Sequence, residues 1–190
     1  MFISKDSGLK IKDKRGFTLI ELIFVIVIIA ILAGTIITLM NTNRANSAAL
    51  ITKAEQYAAA EERFKMDTGT YTSEDDIKAL WDKDAAQNTL MGVDVRDYWR
   101  GPYIKGGGKL ISNNPATGIA NGYISYKRSV DLNGNGNAYD HNIYVTNVPS
   151  DIANEIDKAI DKESSPSTGR VIIEGTGNLK TVRFIFNEEY

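Results

Sequence analysis

The chain has 190 residues, with 22 Lys and Arg against 24 Asp and Glu, one His and no Cys. A net charge of −2 gives no electrostatic basis for tight nucleic-acid binding, and the missing Cys excludes disulfides and thiol chemistry. The length suits one modest soluble domain beside an N-terminal segment of a different kind.

Residues 1–16 are polar and basic, with Lys5, Lys10, Lys12, Lys14 and Arg15 against Asp6 and Asp13, and they show no apolar period. They read as a leader without a fold of its own. Over residues 17–40 the only ionisable side chain is Glu21. As a helix rising about 1.5 Å per residue, this run matches a hydrocarbon core of roughly 30 Å. The positive charge before it places residues 1–16 in the cytoplasm and the C-terminus across the membrane. A lone carboxylate in such a run costs about 2.5 to 3.5 kcal/mol, which implies a partner. An ordinary secretory signal has a shorter apolar core with its cleavage site after it, whereas here Ala30 or Ala33 would be a cut inside the run. A plain single-pass anchor explains the run but leaves Gly16, Phe17 and Glu21 unexplained together.

Lys14-Arg15-Gly16-Phe17-Thr18-Leu19-Ile20-Glu21-Leu22 resembles the prepilin signature of type IV pilins and type II secretion pseudopilins. The resemblance implies that a prepilin peptidase cuts between Gly16 and Phe17 and methylates the new amine. It also implies that Glu21, fifth in the mature chain, meets the Phe17 amine of a neighbouring subunit. Glu21 and that amine lie one helical turn apart, so a staggered neighbour brings a cation to the acid. The helix-breaking Pro that the family carries some twenty residues into the mature chain is missing, leaving Gly34, Thr35 and Thr38 as the soft positions. The C-terminal disulfide of many type IV pilins cannot form, which points to pseudopilins or to minor pilins without the bridge.

Residues 41–66 continue with helix formers and no Pro. Leu50, Tyr57 and Phe64 recur every seven residues with Ala54 between them, an apolar stripe, while Lys53, Glu55, Glu62 and Arg63 are free to face solvent. The helix is expected to stop near Asp67-Thr68-Gly69, with Gly69 as a left-handed cap. Phe64 to Tyr71, Ile77 to Trp81 and Trp99-Arg100-Gly101-Pro102-Tyr103-Ile104-Lys105 resemble the corresponding stretches of the major pseudopilin of type II secretion, although the family's Tyr-Pro-Thr is here Tyr71-Thr72-Ser73. Ser73 with Asp76 reads as a capping box opening a short helix with Ile77, Leu80 and Trp81 on one face. Gly101-Pro102 then ends local structure.

Residues 106–122, with three consecutive glycines and Asn113-Asn114-Pro115, read as a loop; the spacing is wrong for a phosphate loop. Strands are expected at 123–130 and 143–148, and at 170–174 and 181–187 as a hairpin about Gly175-Thr176-Gly177-Asn178. A helix at 151–163 aligns Ile152, Ile156 and Ile160 and is closed by Ser164-Ser165-Pro166. The expected fold is α+β and pilin-like: a long N-terminal helix, half membrane and half amphipathic, on an antiparallel sheet of about four strands. The divisions are leader 1–16, membrane or filament-core half 17–40, amphipathic half 41–68 and head 69–190.

Asp131-Leu132-Asn133-Gly134-Asn135-Gly136-Asn137-Ala138-Tyr139-Asp140 sets oxygen side chains at alternate positions with Gly sixth, the first half of a calcium loop. Position twelve is Asn142 instead of a bidentate Glu, so affinity is expected to be weak. The loop reads either as a plain hairpin turn or as a calcium-bound one with Asp131, Asn133, Asn135 and Asp140 as ligands. Major pseudopilins bind calcium in their sheet region, though their C-terminal motif is not recognisable here. No catalytic site is expected: His141 lies beside this turn as a solvated loop residue, with no nucleophile elbow.

The resemblance implies a structural subunit and no enzyme. It is held in the bacterial inner membrane with its head periplasmic or in an extracytoplasmic filament. Its partners are like subunits, a prepilin peptidase and an inner-membrane assembly platform. A type II secretion pseudopilin driving protein export is the first reading, a type IV minor or competence pilus subunit the second. A membrane-tethered monomer that binds calcium or another ligand is the rival of a different class.

Overall fold

The computed structural model describes residues 18–105, 110–111, 122–162 and 167–189, and the side chains of these apart from 33–41 and 110–111. The leader, Gly16, Phe17, the glycine run with Lys109, Asn113-Asn114-Pro115 and Ser164-Ser165-Pro166 lie outside the described residues. Contacts divide the chain into two compact units, Met1–Leu39 and Met40–Tyr190.

The first unit carries the start of helix α1 (Leu19–Thr68), a 50-residue element that is continuous through Gly34, Thr35 and Thr38. Its large apolar side chains from Leu19 to Leu32 are all 46–77 % exposed. Among the described residues no helix is long and apolar enough to cross a membrane. The apolar run whose side chains are described, 19–32, is only about 21 Å long at 1.5 Å per residue.

The second unit is an α+β head with its own core. The stripe on α1 is buried as its spacing predicts: Leu50, Ala54, Tyr57 and Phe64 are inside, together with Ala60. Glu55 and Arg63 face solvent, whereas Lys53 is half-buried and Glu62 is half-buried and engaged by the head. The helix stops at Thr68 because Gly69 takes φ +80°, a conformation that favours glycine, and its N–H reaches the Lys65 carbonyl at 2.7 Å.

The expected short helix after Ser73 is instead a single 3₁₀ turn, Lys78–Leu80. Asp75 adopts φ +59° and the Asp76 N–H bonds the Ser73 carbonyl, so the chain makes a tight turn before any α-helix can nucleate. Asp76 does cap locally, accepting the Lys78 N–H. A second 3₁₀ turn, Lys83–Gln87, follows. Trp99 Nε1 donates to the Ala79 carbonyl at 2.7 Å and the Tyr103 N–H to the Leu80 carbonyl at 2.8 Å, which ties the 99–103 segment down. A Cβ on Gly101 would lie 2.6 Å from the Trp99 ring, so only glycine fits there.

Five antiparallel strands make the sheet, in the order β1-β2-β3-β5-β4: β1 (Leu110–Ile111), β2 (Gly122–Ser129), β3 (Tyr139–Pro149), β4 (Val171–Glu174) and β5 (Leu179–Glu189). β2 to β5 fall where the sequence anticipates strands, with β3 starting four residues earlier than expected. β1 corrects the loop reading of its segment, pairing Leu110 with Tyr123 and Ile111 with Gly122. Ile124, Tyr126, Ile143, Val145, Val182 and Phe184 join the α1 stripe in one core. Helix α2 (Ser150–Ile160) buries Ile152 and Ile156 against it, the face its spacing predicts. The β4–β5 hairpin turns through Gly175 and Gly177, both at positive φ.

Candidate functional site

At the start of α1, Thr18 and Glu21 form a reciprocal cap. The Thr18 N–H and Oγ–H both reach Glu21 Oε2 at 2.9 Å, and the Glu21 N–H reaches Thr18 Oγ at 3.3 Å. This is a Thr-x-x-Glu capping box, which satisfies donors that a helix start leaves open. The sequence reading treats Glu21 as an acid dependent on a neighbour and overlooks Thr18, three residues before it. Gly16 and Phe17, between which the cut is expected, lie outside the described residues.

The segment 131–140, made of the β2–β3 loop and the first two residues of β3, is laced by its own side chains. Asp131 Oδ1 accepts the Gly136 N–H at 3.2 Å, Asn133 Oδ1 the Asn135 N–H at 3.2 Å and Asn135 Oδ1 the Asn137 N–H at 3.0 Å. Gly134 and Gly136 supply the positive φ these turns need. Asp140 is fully buried: its Oδ2 accepts the Leu132 N–H at 2.5 Å, while its Oδ1 has no hydrogen-bond partner. The structure adds a residue that sequence reasoning missed. Glu188, on β5, accepts amide N–H groups from Asn133, Asn135 and Asn137 at 3.2, 3.1 and 2.7 Å. No local pattern signals it, because it is more than fifty residues away in sequence. Among the described residues no group of three or more His, Cys, Asp or Glu is placed to hold a metal ion. A cation here would depend on amide and backbone oxygens beside Asp131 and Asp140.

His141 corrects its solvated reading. β3 begins at Tyr139, four residues earlier than the β-rich run, and His141 is fully buried within it. Its Nδ1 lies 2.5 Å from the Tyr126 hydroxyl and its Nε2 2.9 Å from Glu189 Oε1. Burial holds its pKa below the ordinary value, outweighing the Glu189 carboxylate, whose own pKa is lowered chiefly by the hydrogen bond to His141. Arg128 completes the group, donating to Glu189 Oε2 at 2.8 Å. Tyr71 lies over the imidazole at 4.2 Å between centroids, and its hydroxyl donates to Glu62 Oε1 at 2.7 Å. A bulge in the β3–β5 pairing, where His141 meets Asn187 and Asn142 meets Ile185, sets Phe186 against the same rings. The cluster ties α1 to β2, β3 and β5, with Arg128 and Glu189 as its ion pair and Glu62 held by the Tyr71 hydroxyl and the Asn187 amide; it has the character of a structural clasp.

The family model for the prokaryotic N-terminal methylation motif matches residues 11–37. No curated protein and no solved structure matches the chain. The matched stretch contains Gly16, Phe17 and the Thr18–Glu21 cap, and it leads into a helix followed by an α+β head with an antiparallel sheet. The chain carries the prokaryotic N-terminal methylation motif, which supports a type IV pilin-like family, ahead of an α+β fold consistent with a pilin-like one.

Proposed function

We propose that this pilin-like subunit is a type II secretion pseudopilin, cut between Gly16 and Phe17, methylated at Phe17 and assembled into a filament anchored in the inner membrane. Residues 17–40 then serve first as a membrane span, with the leader cytoplasmic, and after assembly as the filament core, while the head stays outside. The observation that carries the reading is the exposure of every large apolar side chain from Leu19 to Leu32 around a single acid, Glu21. Such a surface requires lipid or other helices to cover it. Among filament subunits, the likeness of residues 64–105 to the major pseudopilin favours export over pilus function. Deleting the gene tests this: loss of exported proteins from the medium supports it, whereas intact export with loss of surface pili or DNA uptake makes the chain a pilus subunit.

A second reading concerns the loop 131–140. The buried Asp140 Oδ1 without a partner, beside Asp131, Asn133 and Asn135, fits a hard cation that would bring it into coordination. With two carboxylates and no bidentate Glu in the loop itself, calcium is held weakly and acts to fix the β2–β3 connection.

A further inference from the structure

Glu61 lies at the centre of the head, on the buried face of α1, and is fully inaccessible. Its two hydrogen-bond donors come from one residue: Thr72 gives its N–H to Oε2 at 3.2 Å and its hydroxyl to Oε1 at 2.6 Å. Thr72 belongs to the segment 70–76, which follows the helix and folds back along it. Backbone bonds also fix the segment, with the Leu90 N–H to the Tyr71 carbonyl and the Asp75 N–H to the Tyr126 carbonyl. The titratable and charged groups that face Glu61 are Glu62 on α1, Tyr71 on the segment and Tyr126 on β2. None is a cation. Lys65, one turn further along α1, points its Nζ to the Tyr71 hydroxyl at 3.1 Å. Among the described residues no Lys, Arg or His forms an ion pair with Glu61.

A buried carboxylate without a cation is strongly disfavoured, whereas a carboxylic acid can exchange hydrogen bonds with the Thr72 hydroxyl and still accept its N–H. We propose that Glu61 is a proton-dependent latch for the segment 70–76, closed on Thr72 while the carboxyl is protonated and loosened when it ionises. The closed state places a neutral acid in the core; the open state lets the carboxylate reach water. Burial pushes the Glu61 pKa up to about 7 from an ordinary 4.5, against the opposing effect of the two Thr72 hydrogen bonds. Between those values the closed form binds a proton that the open form has lost. Opening therefore increases with pH, by up to about tenfold per unit, and levels off above about 7. At neutral pH the segment 70–76 is more readily released from α1 than it is in acid.

Hydrogen exchange of the Thr72 amide, in the full chain purified from membranes in detergent, tests the latch between about pH 4.5 and 8. Rates are corrected for the intrinsic pH dependence of exchange. The expected result is an opening that climbs toward tenfold per unit below pH 7 and then flattens, with Glu61→Gln showing no such climb. An equal climb in Glu61→Gln, or a flat wild-type profile, overturns the proposal. Should the Gln variant fail to fold, an infrared titration of carboxyl-labelled wild-type protein decides: a protonated buried carboxyl with its midpoint near 7 supports the latch, and ordinary titration of every Glu near 4.5 overturns it.

Discussion

Asp140 places one carboxylate oxygen on the backbone N–H of Leu132 at 2.5 Å and leaves the other, equally buried, without a hydrogen-bond donor. A buried acceptor in that state carries an uncompensated desolvation cost, typically about 1–3 kcal/mol. Neighbouring oxygens alone add no compensation, whereas a cation shared with Asp131, Asn133 and Asn135 would supply it.

Millimolar calcium should therefore raise the melting temperature of the full chain in detergent. Stabilisation follows RT ln(1 + [Ca]/Kd), about 1.4 kcal/mol at ten times Kd. Asp131→Ala should remove that increment by taking away one of the two charged ligands. A wild-type melting curve that chelator does not move would make the loop a plain turn, held by Glu188 and its three Asn partners alone.

Phe64 is fully buried on the α1 stripe and meets Tyr103 edge to face, with 5.6 Å between ring centroids. Phe64→Ala should destabilise the head by about 3–5 kcal/mol, because the cavity adds to the lost transfer energy. Glu55→Ala, on the exposed face of the same helix, should stay within about 0.5 kcal/mol. Denaturant unfolding followed by tryptophan fluorescence measures both. Similar losses for the two variants would contradict the burial of the stripe.

The parts of the fold that were legible in the sequence are those where one local period decides. Leu50, Tyr57 and Phe64 announce a helix face, Ile152 and Ile156 another, and Gly175 with Gly177 a hairpin, because burial there follows directly from spacing. Ser73 and Asp76 misled because a positive φ at Asp75 outweighs the capping pattern. Polar residues in the core were not legible at all. Tyr139 to Asn142 has no strand pattern, yet it extends β3, and His141 is buried because Tyr126 and Glu189 arrive from β2 and β5 to meet it. Glu61 looks like any helix-surface acid until Thr72 folds back onto it. At the N-terminus the reverse held: the methylation motif at residues 11–37 is a fixed spacing of residue types, legible without any fold.

Processing at Gly16 should leave Phe17 as the first residue of the membrane-purified protein, methylated on its amine. Intact-mass and N-terminal analysis check this, and Gly16→Ala should slow the cut less than a bulky replacement would. An N-terminus at Met1, or after Ala33, in cells with an active prepilin peptidase would contradict the assignment.

Subunit crosslinking in wild type and Glu21→Ala, compared at equal membrane abundance, tests the filament reading most directly. In the isolated chain Glu21 is held by Thr18 in an exposed capping box, so its removal costs the monomer only part of that cap. On the filament reading Glu21 would also meet the Phe17 amine of the next subunit, and breaking such a buried pair costs about 3–5 kcal/mol at every contact. Glu21→Ala should therefore abolish crosslinked ladders and sheared filaments while cleavage, membrane insertion and the fold of the head persist. A mutant that crosslinks and functions like wild type would contradict assembly through Glu21 and favour a membrane-tethered monomer.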